Sequence, residues 1–86
     1  MKIDFTETAW SDYLYWQKRN KIMTKRINQL IQDIDRNGNE GIGKPEALRG
    51  ELSGWWSRRI DDSNRLVYRL RDGGVEISQC RGHYSK

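Results

Sequence analysis

The residues able to do chemistry in this chain are few, and most lie in its C-terminal half. "RGHYSK" at 81–86 holds the single histidine, His83, followed by Tyr84. Imidazole is the one side chain that ordinarily titrates near neutral pH, so a lone His beside a phenol and an arginine is a candidate proton carrier. "GKPEALRG" at 43–50 offers a carboxylate, Glu46, placed by Pro45 at the entry to a strand. Residues 44–86 carry nine basic and six acidic side chains, seven of the nine being arginine, whereas residues 1–43 carry seven basic and six acidic. Arginine's planar fork grips phosphate oxygens in pairs, so the second half is the anion-binding half. A carboxylate, an imidazole, arginines and a phenol over one surface suit transesterification of RNA without a metal. A base removes the ribose 2′-OH proton, an acid protonates the departing 5′-oxygen, and cations offset the charge of the phosphorane. Glutamate can serve as that base and histidine as that acid.

Positioning such a set requires a sheet, and from Leu52 onward the sequence has the period of one. "GWWSRRI" (54–60), "RLVYRL" (65–70) and "VEISQC" (75–80) each read as half-buried strands, separated by the turn segments "DDSN" (61–64) and "RDGG" (71–74). Trp56 and Ile60 share a face, as do Leu66, Tyr68 and Leu70, and Val75 and Ile77. Opposite them fall Arg59 or Arg58, then Arg65 or Arg69, then Arg81. Guanidinium groups so gathered need a counter-anion, which an RNA backbone supplies and which Asp61, Asp62 and Glu76 can supply internally.

The first half is helical. "KIDF" alternates as a short strand does, and Thr6 with Glu7 forms a helix start. Trp10, Tyr13, Leu14 and Gln17 then fall on one side, and Asn20 interrupts the run. Met23, Ile27, Leu30, Ile31 and Ile34 recur at helical spacing and form the core stripe of a second helix. "RNGNEGIGKP" ends it and connects onward. The layout is β-α-α-β-β-β: an α+β domain spanning 1–86, with two helices on one face of a twisted antiparallel sheet and the other face partly open.

Composition narrows the class. Only 35% of residues are hydrophobic and mean hydropathy is −1.00, yet four Trp, four Tyr and one Phe provide enough apolar area for one modest core. Cys80 is the only cysteine, which excludes an internal disulfide and a cysteine-based metal cluster and favours a reducing compartment. No stretch approaches the length of a membrane span and no signal-peptide core is present, so a cytoplasmic location with no membrane partner is expected.

The series "YLYWQ" (13–17), "GKPEALRGELSGWWSRRI" (43–60), "NRLVYRL" (64–70) and "CRGHY" (80–84) closely resembles the YoeB-type toxins of the RelE superfamily, which belong to bacterial toxin–antitoxin systems. The resemblance covers nearly the whole chain in order and spacing. It implies a RelE-like fold and a cofactor-free, metal-independent endoribonuclease that cleaves mRNA in the ribosomal A site. By position it implies that Glu46 is the general base, His83 the general acid, Arg65 the stabiliser of the transition-state phosphate, and Tyr84 a residue that positions or stacks on substrate. Arg49 stands where the family commonly has lysine, so charge is kept with different geometry; Arg49, Arg59 and Arg81 are the expected phosphate-binding set. Lys18, Arg19, Lys21, Lys25 and Arg26 are expected to face ribosomal RNA. The implied partners are the ribosome, mRNA and a cognate YefM-like antitoxin, partly disordered when free; a homodimer is compatible. Ser85 and Lys86, beyond the Tyr, are expected to trail into solvent. Two rivals stand beside this reading. One is a non-catalytic toxin of the same fold that inhibits gyrase, which does not depend on the Glu/Arg/His/Tyr set; the other is a basic RNA-binding module.

Overall fold

In the computed structural model, which describes residues 1–84, a four-residue strand β1 (Lys2–Phe5) leads into two helices, α1 (Glu7–Arg19) and α2 (Lys21–Asn37). The expectation for Ser85 and Lys86 lies outside the described residues. Thr6 caps α1, its hydroxyl oxygen accepting from the N–H of Ala9 at 3.1 Å. Asn20 serves both helices. Its backbone N–H donates to Trp16 O at 2.7 Å, and its side-chain oxygen accepts from Ile22 and Met23 N–H at 3.2 and 3.3 Å. One residue thereby satisfies orphan groups at two helix ends and fixes the corner between them. Gly38 closes α2, donating its N–H to Ile34 O at 2.8 Å.

The predicted stripe of α2 is the core: Met23, Ile27, Leu30, Ile31 and Ile34 are all buried. On α1 the outcome differs. Ala9 is its only buried residue, with Tyr13 and Trp16 partly buried against the core, while Trp10 is 50% and Leu14 42% exposed. The helix packs chiefly on the last strand of the sheet and on α2, and the narrow row Ala9–Tyr13–Trp16, at i, i+4 and i+7, suffices for that contact.

The rest of the chain builds the sheet with β2 (Glu46–Ala47), a 3-10 turn at Gly50–Leu52, β3 (Trp56–Arg59), β4 (Arg65–Arg71) and β5 (Gly74–Gln79). The α+β architecture is as expected, with two additions. There are five strands, ordered β1-β5-β4-β3-β2, and the sheet is mixed because β1 runs parallel to β5. The two facts have one cause. With each successive element reversing the chain, the two-residue β2 adds one reversal and turns β1 and β5 from antiparallel to parallel. The β1 pairing is close: a Cβ on Gly74 would lie 2.4 Å from the carbonyl oxygen of Lys2, so only glycine permits it.

The helix-facing side of the sheet holds Ile60, Leu66, Tyr68, Val75 and Ile77 in one cluster with α1 and α2. Arg58 belongs to this face too, and at 0% exposure it is the largest fully buried side chain. Its five N–H groups are all used. Nε donates to Tyr68 Oη at 3.2 Å; Nη1 donates to Asp33 Oδ2 on α2 and to Ile42 O; Nη2 donates to the carbonyls of Gly38 and Glu40. A buried cation is tolerable only when so fully partnered. The loop that follows α2 is wound on this guanidinium and comes out at Gly43, whose carbonyl accepts from Arg59 N–H at 2.7 Å. Gly43 has φ +81°, and a Cβ there would lie 2.8 Å from Leu30 Cδ2. Three residues later the chain delivers Glu46.

Candidate active site

Alternation decides what the open face displays. Residues directly opposed in an antiparallel ladder share a face, and the registers Glu46↔Ser57, Ser57↔Val67 and Arg59↔Arg65 therefore put Glu46, Arg59 and Arg65 on the side away from the helices. The pairs left open by sequence are resolved differently. Arg59 is exposed on the open face while Arg58 is in the core; Arg65 and Arg69 both lie on the open face, four residues apart on β4.

Arg59 and Arg65 stand opposite one another as like charges, an arrangement that costs energy unless anchored or neutralised. The protein anchors one of them. Arg65 is 8% exposed, and its Nη1 donates to the carbonyl oxygens of Asp61, Asn64 and Asp62 at 2.7, 3.2 and 3.3 Å. Its Nε and Nη2 have no partner among the described residues, and neither do Arg49, Arg59 or Arg81 make an ion pair with a carboxylate there. The turn beneath is stiffened by Asp61, whose carboxylate accepts from Ser63 and Asn64 N–H and from the Asn64 amide at 2.8–3.0 Å. Burial pushes that carboxyl up, but the bonds from Asn64 and Ser63 outweigh it and leave it below the usual range. Glu76, the anticipated internal counter-charge, pairs with Arg69 at 2.8 Å and Arg71 at 3.3 Å, and Arg69 chiefly holds its carboxyl below the usual range. Among the described residues neither Arg59 nor Arg65 makes a direct ion pair with a carboxylate, although Arg65 lies near enough to the Asp61 carboxylate to help hold it ionised.

Arg65 also receives the end of the chain. Its backbone N–H donates to Gly82 O at 3.0 Å, and Gly82 N–H donates to Asn64 Oδ1 at 2.7 Å. His83 and Tyr84 start from that anchor, their ring centres 5.7 Å apart. Tyr84 then lines a cleft of about 160 Å³ together with Glu46, Ala47, Leu48, Arg49 and Leu52. A carboxylate, a guanidinium and a phenol meet in one cleft, and the exposed imidazole of His83 stands next to its phenol.

The other predicted residues divide. Arg81 turns away from the cleft: its guanidinium carbon sits 3.8 Å from the ring centre of Tyr15 on α1. Lys18, Arg19, Lys21 and Lys25 are exposed, while Arg26 is partly buried and donates to Arg59 O at 3.5 Å. Among the described residues no three His, Cys, Asp or Glu side chains come together as a metal site, and no helix is long and apolar enough to cross a membrane.

Sequence reasoning missed the side chains that hold the C-terminal segment. Trp16 Nε1 donates to Cys80 O at 2.8 Å, Asp12 Oδ2 accepts from Cys80 N–H at 3.1 Å, and Cys80 Sγ lies 3.6 Å from Ala9 O. Asp12 and Trp16 lie one turn apart on α1, which was the available signal, but nothing local points them at residue 80. It also missed Asp33 as the partner of Arg58, having left open whether Arg58 or Arg59 shares the face of Trp56 and Ile60.

A family profile describing the YoeB-like toxins of bacterial type II toxin–antitoxin systems matches residues 5–84. A toxin YoeB from Streptomyces coelicolor is 54% identical over 84 residues, 98% of this chain and all of that one. Among solved structures, the toxin in a YoeB–YefM complex from Staphylococcus aureus is 49% identical and superposes with a TM-score of 0.92 over 98% of both chains. A YoeB dimer from the same organism, 48% identical, gives the same TM-score and coverage.

Proposed function

Because the chain belongs to the YoeB-like toxins of bacterial type II toxin–antitoxin systems, we propose that it is a ribosome-dependent endoribonuclease that cleaves mRNA in the A site and is silenced by a YefM-like antitoxin. The observation that carries the reading is the cleft in which Glu46, Arg49 and Tyr84 meet, on the sheet face that also carries the opposed pair Arg59 and Arg65.

In this mechanism Glu46 accepts the proton of a ribose 2′-OH. The freed oxygen attacks the adjacent phosphorus, and the phosphorane's added charge is met by the free N–H groups of Arg65 and by Arg59. His83 gives its proton to the 5′-oxygen as the P–O bond breaks, leaving a 2′,3′-cyclic phosphate and a 5′-hydroxyl. Tyr84 packs against the substrate at the cleft wall, and Arg49 supplies a further phosphate contact. The exposed bases of α1 and the start of α2, Lys18, Arg19, Lys21 and Lys25, supply salt-sensitive affinity for ribosomal RNA. The Staphylococcus aureus complex and dimer support an antitoxin and a second copy as partners of this chain.

The test is single-turnover cleavage of mRNA on programmed ribosomes, with 5′ ends mapped. Glu46→Ala and His83→Ala should each slow cleavage by at least ~10²-fold, the usual effect of losing an acid or base, with circular dichroism unchanged. Wild-type cleavage by both variants would overturn the assigned roles, and growth arrest with DNA damage but intact mRNA would favour gyrase inhibition instead.

A further inference from the structure

The turn of Arg81 toward α1 creates a second cationic feature outside the cleft. Tyr15 and Arg19 are one helical turn apart, and the Arg19 guanidinium carbon lies 4.3 Å from the Tyr15 ring centre. Arg81 arrives at the same ring, 3.8 Å from its centre, from a segment 66 positions further along the chain. Two exposed guanidinium groups therefore share one phenol. Each gains a cation–π contact, but they repel one another, and neither makes an ion pair among the described residues. The carboxylate one turn earlier on α1, Asp12, is bonded to the N–H of Cys80 instead. Lys18 and Lys21, close to Arg19 in sequence, are also exposed.

We propose that Tyr15, Arg19 and Arg81 form a binding site for one RNA backbone phosphate, and that filling it fixes the segment carrying His83. A phosphodiester is an anion that planar guanidinium forks hold well, each through paired N–H donors. The link to His83 is short and braced on both sides. Cys80 is tied to α1 by Trp16 and Asp12, and Gly82 is tied to the sheet by Arg65 and Asn64. Arg81 is the residue between these ties. A phosphate gripped by it and by Arg19 locks the joint from which the imidazole hangs, two residues on. The phosphate site stands on its own geometry; the effect on His83 rests on the ribonuclease reading.

The test uses the full chain and two RNA probes: ribosomes without mRNA, and a short single-stranded RNA. For wild type, Arg19→Ala, Arg19→Lys and Tyr15→Leu, equilibrium binding is measured across salt concentrations. Removing one phosphate contact should flatten the slope of log Kobs against log salt by about 0.7–0.9 for Arg19→Ala on the RNA that fills the site, and by less for Arg19→Lys, which keeps the charge. A change with ribosomes alone identifies ribosomal RNA as the source; a change with the oligonucleotide as well identifies any single strand. An unchanged slope on both probes overturns the site. At saturating ribosomes, single-turnover cleavage by folded Arg19→Ala and Tyr15→Leu should fall about tenfold. Wild-type rates there overturn the coupling while leaving the phosphate site to its slope. If the wild-type chain cleaves nothing, the ribonuclease reading has failed, and the slope measurement still decides the site.

Discussion

Arg58 on β3 donates to Asp33 on α2 from a position with no solvent exposure, so an ion pair ties the sheet to the helix layer. The same guanidinium holds three carbonyls of residues 38–42, so the loop delivering Glu46 is wound on the fold's deepest charge. Arg58→Ala leaves Asp33 and those carbonyls unpartnered, and breaking a buried pair from one side costs about 3–5 kcal/mol. In a domain of this size that is much of the total stability. Urea denaturation should show the midpoint collapsing, with Arg58→Lys only partly restoring it because three ammonium donors cannot replace five. A variant within about 0.5 kcal/mol of wild type, the range of an ordinary surface change, would mean the clamp does not form.

Acid should attack the same pair. The bond from Arg58 leads in holding the Asp33 carboxyl below its ordinary value, against burial, with help from Ile42 N–H and Asn37. A carboxylate whose folded pKa is depressed contributes stability that is present above its unfolded value and lost as pH falls through the folded one. Stability should therefore be flat through neutral pH and decline from about pH 4 downward. Asp61, also depressed, adds to that decline through the turn beneath Arg65. Asp33→Asn should be weaker at pH 7 and shallower in its acid limb. An acid limb identical in slope to wild type would remove Asp33 from the account.

The helices and the hairpins were legible because local signals specify them: Thr6, Asn20 and Gly38 sit where helix ends need them, and the α2 stripe buries in full. What was not legible depends on long-range pairing. A two-residue strand such as β2 has no period to read, and missing it also reverses the direction of β1 against β5. Of the site, Glu46, Arg49 and Tyr84 line one cleft, while Arg65 meets the C-terminal segment through its backbone bond to Gly82; the residue types suggested the chemistry, and the long-range pairing sets the placement. Arg81 does not, because Tyr15 offers it a ring and Cys80 is pulled to α1 by Trp16 and Asp12. Trp10 and Leu14, an apolar pair at helical spacing, stay largely exposed because the row Ala9–Tyr13–Trp16 already fills the seam.

Cys80 tests that arrangement chemically. Burial, then the nearby Asp12 charge, pushes its thiol up to about 12, and the side chain is fully buried. Since the thiolate is the reactive form, alkylation of the native chain at pH 8 should be about 10³-fold slower than that of an ordinary thiol of pKa ~8.5. Unfolding in guanidinium should restore ordinary labelling. Native-state labelling at the unfolded rate would show that residue 80 is not packed under α1, and would loosen the anchor assigned to His83 with it.

Arg59 and Arg65 face one another across β3 and β4 but are held differently, and the contrast separates support from chemistry. Arg59 is exposed and its side chain makes no bond among the described residues, so Arg59→Ala should leave urea stability within about 0.5 kcal/mol while cleavage of mRNA on ribosomes falls. Arg65 holds three carbonyls of the 61–64 turn through Nη1. Arg65→Lys keeps the positive charge but cannot hold those carbonyls and reach a phosphate at once, because an ammonium is a point charge without a fork. It should lose about 1–3 kcal/mol, the usual penalty for buried acceptors left unpaired, and it should lose more cleavage than Arg59→Ala does. Measuring the Arg65→Lys rate at a temperature where the variant remains fully folded removes instability as the explanation. Full activity of folded Arg65→Lys would make this arginine a turn brace with no part in meeting the phosphorane charge. Loss of stability in Arg59→Ala matching that of Arg65→Lys would show instead that the two are one structural unit.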